Sequence, residues 1–198
     1  RLRSIADSIE EKPADIFPSA SSYGIEDLRN AWRENIYAKN PSLGKKEIST
    51  PIVVSGLTHG LSIAGYLFVD EGDSIIVPHL YWGNYRLVFT NNYGGILKTF
   101  KTFGSGGLNL SGLKESLEEP GKQILILNFP NNPTGYSPTT AEMNDILDII
   151  DGSARRGNRI LVMADDAYFG LVYEEGVCRE SPFAGLAGLH ENVLAVKI

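Results

Sequence analysis

The sequence predicts an α/β fold, a mostly parallel sheet flanked by helices in an α/β/α sandwich. Three observations predict it. Short apolar runs of strand length alternate with stretches of helical period along most of the chain. The chain between successive runs is long enough for the crossover helices that parallel strands require. Gly, Pro, Asn and Asp mark the boundaries, as at Asn40-Pro41, Glu71-Gly72-Asp73 and Pro120-Gly121.

Each element has its own justification. A helix is expected over 24–40, where Ile25, Leu28, Trp32 and Ile36 fall at helical spacing and Asn40-Pro41 stops the run. Ile52-Val53-Val54 reads as a short buried strand, followed through Ser55-Gly56 by a helix over 58–69. A strand over 74–77 and a helix over 81–92 come next, the helix ending in Asn-Asn-Tyr-Gly-Gly. A strand over 96–100 leads to Gly104-Ser105-Gly106-Gly107, read as a flexible loop too short for a domain linker. A helix over 109–118 and a strand over 123–127 follow. A long helix over 139–156 should carry Thr139 as its N-cap, with Glu142 completing a capping box. Strands over 160–163 and 192–198 end the series.

Composition excludes several function classes. Of the 198 residues, 42% are hydrophobic and 21% charged, which suits a soluble globular chain and not a disordered one. A net charge of −6 argues against a general nucleic-acid binder. The single cysteine, Cys178, leaves no internal disulfide and no Cys-rich metal site, and His59, His79 and His190 lack metal-ligand spacing. Positions 52–69 carry no charge, yet only 11 of these 18 residues are hydrophobic, too few for a spanning helix. Arg1-Leu2-Arg3 has no apolar run behind it, unlike a signal peptide. The expectation is a cytoplasmic protein with no membrane or nucleic-acid partner. The chain begins without Met and stops inside the apolar run Val193-Leu194-Ala195-Val196-Lys197-Ile198, so truncation at both ends is expected.

In a parallel sheet, ligands bind beyond the carboxyl ends of the strands. Four such loops stand out. Ser55-Gly56-Leu57-Thr58 enters a helix, where free N–H groups suit either a phosphate or a plain N-cap. Pro78-His79-Leu80-Tyr81-Trp82-Gly83-Asn84-Tyr85 clusters aromatics that suit either stacking on a flat ring or core packing. Asn128-Phe129-Pro130-Asn131-Asn132-Pro133-Thr134-Gly135 constrains its backbone more than a turn requires, and its Asn side chains can donate to a ligand oxygen. Asp165-Asp166-Ala167-Tyr168 sets two carboxylates side by side, one of them expected to face a cation or a ring N–H, with a metal site as the alternative.

In their order and strand-end placement these loops resemble the class I/II aminotransferases, the fold-type I family of pyridoxal 5′-phosphate (PLP) enzymes, from about Tyr23 to Ile198. The most specific parts are Pro130-Asn131-Asn132-Pro133-Thr134-Gly135 and Asp165-Asp166-Ala167-Tyr168. The resemblance implies that 1–198 is the PLP-binding large domain, incomplete at both ends, with the small domain absent. It implies Asp165 on the protonated pyridine nitrogen, and Asn132 and the Tyr168 hydroxyl on the phenolic oxygen. Trp82 would stack on the ring, and the Gly56 and Leu57 N–H groups with Thr58 would hold the phosphate. Asp165 and Tyr168 are the implied catalytic residues, and the Asn132–Pro133 bond is expected to be cis. Tyr23 resembles a tyrosine that reaches the phosphate of the neighbouring subunit's cofactor, although its spacing to Gly24 is short. Three positions depart from the family pattern: Asp166 replaces the usual Glu, Leu57 stands where small residues are common, and Lys197 sits on an apolar run with no turn before it. Lys197 is therefore expected to be a strand-end residue, with the Schiff-base lysine just after Ile198.

The implied activity is transfer of an amino group between an amino acid and a 2-oxo acid by a homodimer, with Trp82-Gly83-Asn84-Tyr85 leaning toward the aspartate/aromatic subgroup. Two alternatives stay open: a PLP-dependent β-lyase or decarboxylase of the same fold, or a non-catalytic effector domain of a transcription regulator. No Gly-x-Gly-x-x-Gly or Gly-x-x-x-x-Gly-Lys loop follows any strand, which disfavours a nucleotide-binding domain. Residues 1–198 alone should be nearly inert and poorly soluble.

Overall fold

Successive side chains of a strand point to opposite faces of its sheet, and the buried strands of this chain use both faces. The structure, a computed structural model, describes residues 17–198; the amino terminus, Arg1-Leu2-Arg3, lies outside them. Five strands form one sheet: β1 (Ser74–Pro78), β2 (Ile96–Phe100), β3 (Lys122–Asn128), β4 (Arg159–Asp165) and β5 (Val193–Lys197). Their spatial order is β2-β1-β3-β4-β5, and every neighbouring pair is parallel.

Ile75, Val77, Ile124, Ile126, Leu161 and Met163 face one side. There they meet α2 (Leu57–Phe68) and a helical segment over 84–93 whose middle, Arg86–Asn91, is π-helical. Ile76, Leu125, Leu127, Ile160 and Val162 face the other side, against α3 (Leu110–Ser116) and α4 (Thr140–Arg155). The sheet is thus covered on both faces, as the uninterrupted apolar runs of β3 and β4 require. Close packing of α2 depends on Gly60, where a Cβ would come within 2.9 Å of Ile198 Cγ2. That approach brings the start of α2 beside the end of β5.

The capping box at α4 forms as read. The Thr139 side chain accepts from the Glu142 N–H, and Glu142 accepts from the Thr139 N–H. Glu142 does more than the sequence indicates, because its Oε1 also accepts from the Leu108 N–H at 2.9 Å and the Tyr136 hydroxyl at 2.5 Å. The loop at 104–107 consequently differs from the expected flexible segment. It is a turn closed by the Gly104 N–H to Gly107 carbonyl bond and by an antiparallel bridge between Phe103 and Leu108.

Two further differences have clear causes. The segment Ile52-Val53-Val54 is not a strand, and Ile52 and Val53 are exposed. A strand exists through its ladder partners; the edges of the described sheet are β2 and β5, and the Val53 N–H bonds to the Tyr23 carbonyl rather than to either of them. Second, α1 (Glu26–Lys39) forms where its period indicates, but Ile25, Leu28 and Trp32 stay about half exposed and only Ile36 is buried. A short helix missing from the sequence reading, α5 (Pro182–Leu186), starts at Ser181, whose hydroxyl accepts from the Phe183 N–H. Five residues are too few for helical period to show. Among the described residues, no helix is long and apolar enough to cross a membrane.

Loss of the cap gives a direct test. Thr139→Ala should lower stability by about 1 kcal/mol, read from chemical denaturation, since it frees an N–H of the first turn of α4. A second expectation concerns pH. Burial opposes the charge on Glu142, but hydrogen bonds from Tyr136, Thr139 and Leu108 hold its carboxyl below the ordinary value of 4.5. A carboxyl depressed by folding stabilises the fold above its unfolded value, and the contribution fades as pH falls through the folded one. Stability should therefore decline below pH 4.5, and Glu142→Gln should flatten that part of the melting-temperature profile.

Candidate functional site

The site grows from the ends of β3 and β4, which run in register to the pair Asn128 and Asp165. Asp165 shares its face with Leu161 and Met163, so its side chain lies on the α2 side of the sheet. Asn128 joins the two loops that follow. Its Nδ2 donates to the Asp165 carbonyl at 2.9 Å, and its Oδ1 accepts from the Asn132 N–H at 2.8 Å. The Asn131 side chain accepts from the Thr134 hydroxyl at 2.6 Å and closes the turn that carries Asn132. The Asn132–Pro133 bond is cis as expected, and Phe129–Pro130 is also cis. Asn132 Nδ2 then lies 3.4 Å from the Tyr168 hydroxyl, so the two predicted donors stand together.

Asp165 is 3% exposed. Its Oδ2 accepts from the Tyr85 hydroxyl at 2.5 Å and its Oδ1 from the Ala167 N–H at 3.1 Å. Both donors are neutral. Burial pushes the Asp165 carboxyl above the usual carboxylate range, while the hydrogen bonds from Tyr85 and Ala167 pull the other way. Burial also raises the Tyr85 hydroxyl far above its ordinary value, with the Asp165 charge and hydrogen bond adding to it, so Tyr85 stays a donor. The Trp82 ring meets Tyr85 edge-on, centroids 5.6 Å apart at 89°. Tyr85 and Asn128 lie in loops that the sequence singles out, but the sequence assigned neither of them a role of its own. The available signals were the three-residue step from Trp82 to Tyr85 in a helical segment and an Asn ending an apolar strand.

The start of α2 is uncapped by any side chain. Gly56 takes φ +155° and ψ 169°, a backbone region reserved for glycine, and open space surrounds the place a Cβ would fill. The Gly56 carbonyl accepts from the Gly60 N–H at 3.1 Å. The Leu57 and Thr58 N–H groups thus open the helix with the positive end of its dipole. Beside them, the Ser55 hydroxyl lies 2.9 Å from His59 Nδ1.

The neighbouring carboxylate has a different job. Asp166 follows Asp165 but turns to the opposite face, where it pairs with Lys197 and accepts from the Ser181 hydroxyl at 2.6 Å. Lys197 shares that face with Val193 and Ala195, while Val196 and Ile198 face the Asp165 side. The period of a strand therefore directs Lys197 away from Asp165, in agreement with the strand-end reading. It also separates the two carboxylates, which removes the geometric basis for a shared metal ion. Among the described residues, no group of three His, Cys, Asp or Glu side chains is placed to hold one. Tyr23 stays apart: it is exposed, its ring lies under the Arg29 guanidinium at 5.6 Å, and its carbonyl accepts from the Val53 N–H.

The parallel sheet covered on both faces has the fold of solved aminotransferases. An aminotransferase from Anaerococcus prevotii superposes with TM-score 0.79 at 24% identity, covering 99% of this chain and 48% of that one. The Rhizobium meliloti aspartate aminotransferase gives TM-score 0.73 at 24% identity over 91% of this chain and 43% of its own. The chain belongs to the aminotransferase class I and II family, whose sequence pattern matches residues 5–195. Among curated relatives, the aspartate aminotransferase of Sulfurisphaera tokodaii is 29% identical over 158 residues. A "probable aspartate/prephenate aminotransferase" of Aquifex aeolicus is 33% identical over 161 residues. In both cases the match covers 78% of this chain and 37% of the relative, so the chain spans well under half the length of these proteins.

Removing the cation from the Asp166 pair tests the packing of β5. Lys197→Met should destabilise the protein by about 3–5 kcal/mol, because it strands a buried carboxylate; a paired Lys197→Met, Asp166→Leu change should recover most of the loss in denaturation midpoint.

Proposed function

We propose that this chain forms the cofactor-binding part of a PLP-dependent aminotransferase that moves an amino group between an amino acid and a 2-oxo acid. The observation that carries the reading is Asp165: a buried carboxylate at a strand end, raised by burial and held, among the described residues, by neutral donors. A cation at that oxygen restores its charge, and a protonated pyridine nitrogen is such a cation. The other residues fit the same ligand. An uncapped helix start with an open glycine suits a phosphate. Asn132 and Tyr168 present an amide and a hydroxyl side by side, suited to a phenolic oxygen. Trp82 offers an aromatic face beside Tyr85.

When bound, PLP supplies an electron sink for the pair left on the substrate Cα after proton removal. The chain's own residues make that sink effective. Asp165 keeps the proton on the ring nitrogen. Asn132 and Tyr168 donate to the phenolic oxygen and favour its anionic form. The α2 start holds the phosphate, and Trp82 fixes the tilt of the ring. Asn128 acts beneath these groups, holding the Asn132 and Asp165 loops in one geometry.

The enzyme works as a homodimer in this reading. The exposed apolar stripe Ile25, Leu28 and Trp32 supports a covered face there, and Tyr23 beside it is free to reach a neighbouring subunit's phosphate. Transamination is favoured over other PLP chemistry by the aspartate aminotransferases among the relatives.

The test uses the whole protein loaded with PLP. Absorbance of the bound cofactor should change on adding an amino acid such as aspartate and return on adding a 2-oxo acid. A cofactor that binds but never completes this cycle would rule out transamination. Asp165→Ala should weaken PLP binding about a hundredfold in an equilibrium titration, the size expected for losing a charge-assisted bond of about 3 kcal/mol.

A further inference from the structure

We infer that Tyr85 is a positioning residue for the cofactor site, its hydroxyl setting the rotation of the Asp165 carboxylate and its ring setting the tilt of Trp82. This rests on the PLP reading above. Tyr85 is 2% exposed, far too buried for a residue that merely lines an opening.

The carboxylate of an aspartate turns about a broad, soft torsion, so its plane is undefined without donors on both oxygens. Here each oxygen has one. The Ala167 N–H, fixed by the backbone, holds Oδ1, and the Tyr85 hydroxyl holds Oδ2 at 2.5 Å. An ionised carboxylate has about four acceptor sites, so two donors orient it and still leave room for a ring N–H. A hydroxyl on a rigid, buried ring places the second donor with little freedom. The ring is wedged against Phe89 at 6.2 Å, and it lies near-parallel to Tyr81 with centroids 6.4 Å apart.

The same ring fixes Trp82. The Tyr85 N–H donates to the Trp82 carbonyl at 3.0 Å, which places both in one helical turn, and their rings meet at 89°. One side chain therefore couples the group on the ring nitrogen to the group on the ring face. Moving Tyr85 would disturb both together.

The test is PLP affinity of Tyr85→Phe, which keeps the ring and removes the hydroxyl. It is measured by equilibrium titration with PLP and with an analogue carrying C–H in place of the ring nitrogen. PLP affinity should fall about tenfold while analogue affinity stays within twofold, because only PLP uses Asp165. An equal loss for both ligands, or no loss for either, would overturn the inference. If the single variant fails to fold, Tyr85→Phe is combined with Asp165→Asn, which removes the carboxylate left short of a donor. The double variant should bind PLP as Asp165→Asn alone does, and a further tenfold loss would overturn the role through Asp165. Failure of the unsubstituted protein to bind PLP would overturn the cofactor reading itself, and this inference with it.

Discussion

Taking the Asp165 carboxylate out of water is costly, and the surrounding structure is arranged to meet that cost. β4 carries the residue to the sheet's carboxyl edge on the face it shares with Leu161 and Met163. Tyr85 reaches one oxygen and the Ala167 N–H the other. Asn128 anchors the Asp165 carbonyl from the adjoining strand and hands on the next loop through the Asn132 N–H. Without this scaffold the carboxylate would have to take up a proton or move toward solvent. With it, Asp165 is oriented by two donors that are both neutral.

The adjacent Asp166 shows how the fold keeps two neighbouring carboxylates from working against each other. Strand alternation sends them to opposite faces, and Lys197 neutralises the second. Burial raises the Asp166 carboxyl while Lys197 and Ser181 oppose that rise. Ser181 in turn links this pair to Asn40, whose Oδ1 accepts from the Ser181 N–H at 2.8 Å. The ion pair therefore ties β4, β5, α5 and the end of α1 together. Asp165 is left on the opposite face, the α2 side, beside Tyr85.

Much of this was legible in the chain. The alternation of apolar runs and helical periods identified all five strands of the described sheet, most plainly the inner β1, β3 and β4, whose burial on both faces calls for apolar side chains. The Thr139 and Glu142 pair was legible because a capping box is a local device. The run from Asn128 to Gly135 and the motif from Asp165 to Tyr168 were legible because constrained backbones and paired carboxylates are rare where strands end. Other features depend on partners distant in sequence. Ile52-Val53-Val54 has the composition of a strand, but a strand is defined by its neighbours. The stripe on α1 has the period of a packed helix, but nothing in a period says what covers it. Gly104 to Gly107 reads as loose until Glu142, over thirty residues on, is seen to hold Leu108.

The sequence by itself determined the fold class, the constrained loops at the strand ends and the residue types they carry, because these follow from period, composition and local backbone constraint. Only the tertiary structure decided which side chains meet. It joined Tyr85 to Asp165 across eighty positions and turned Lys197 away toward Asp166. It also made Asn128 the link between two loops. The reason is the register of the parallel sheet: a one-residue step in β4 or β5 moves a side chain to the opposite face, so the grouping of these side chains depends on a pairing that no local stretch contains.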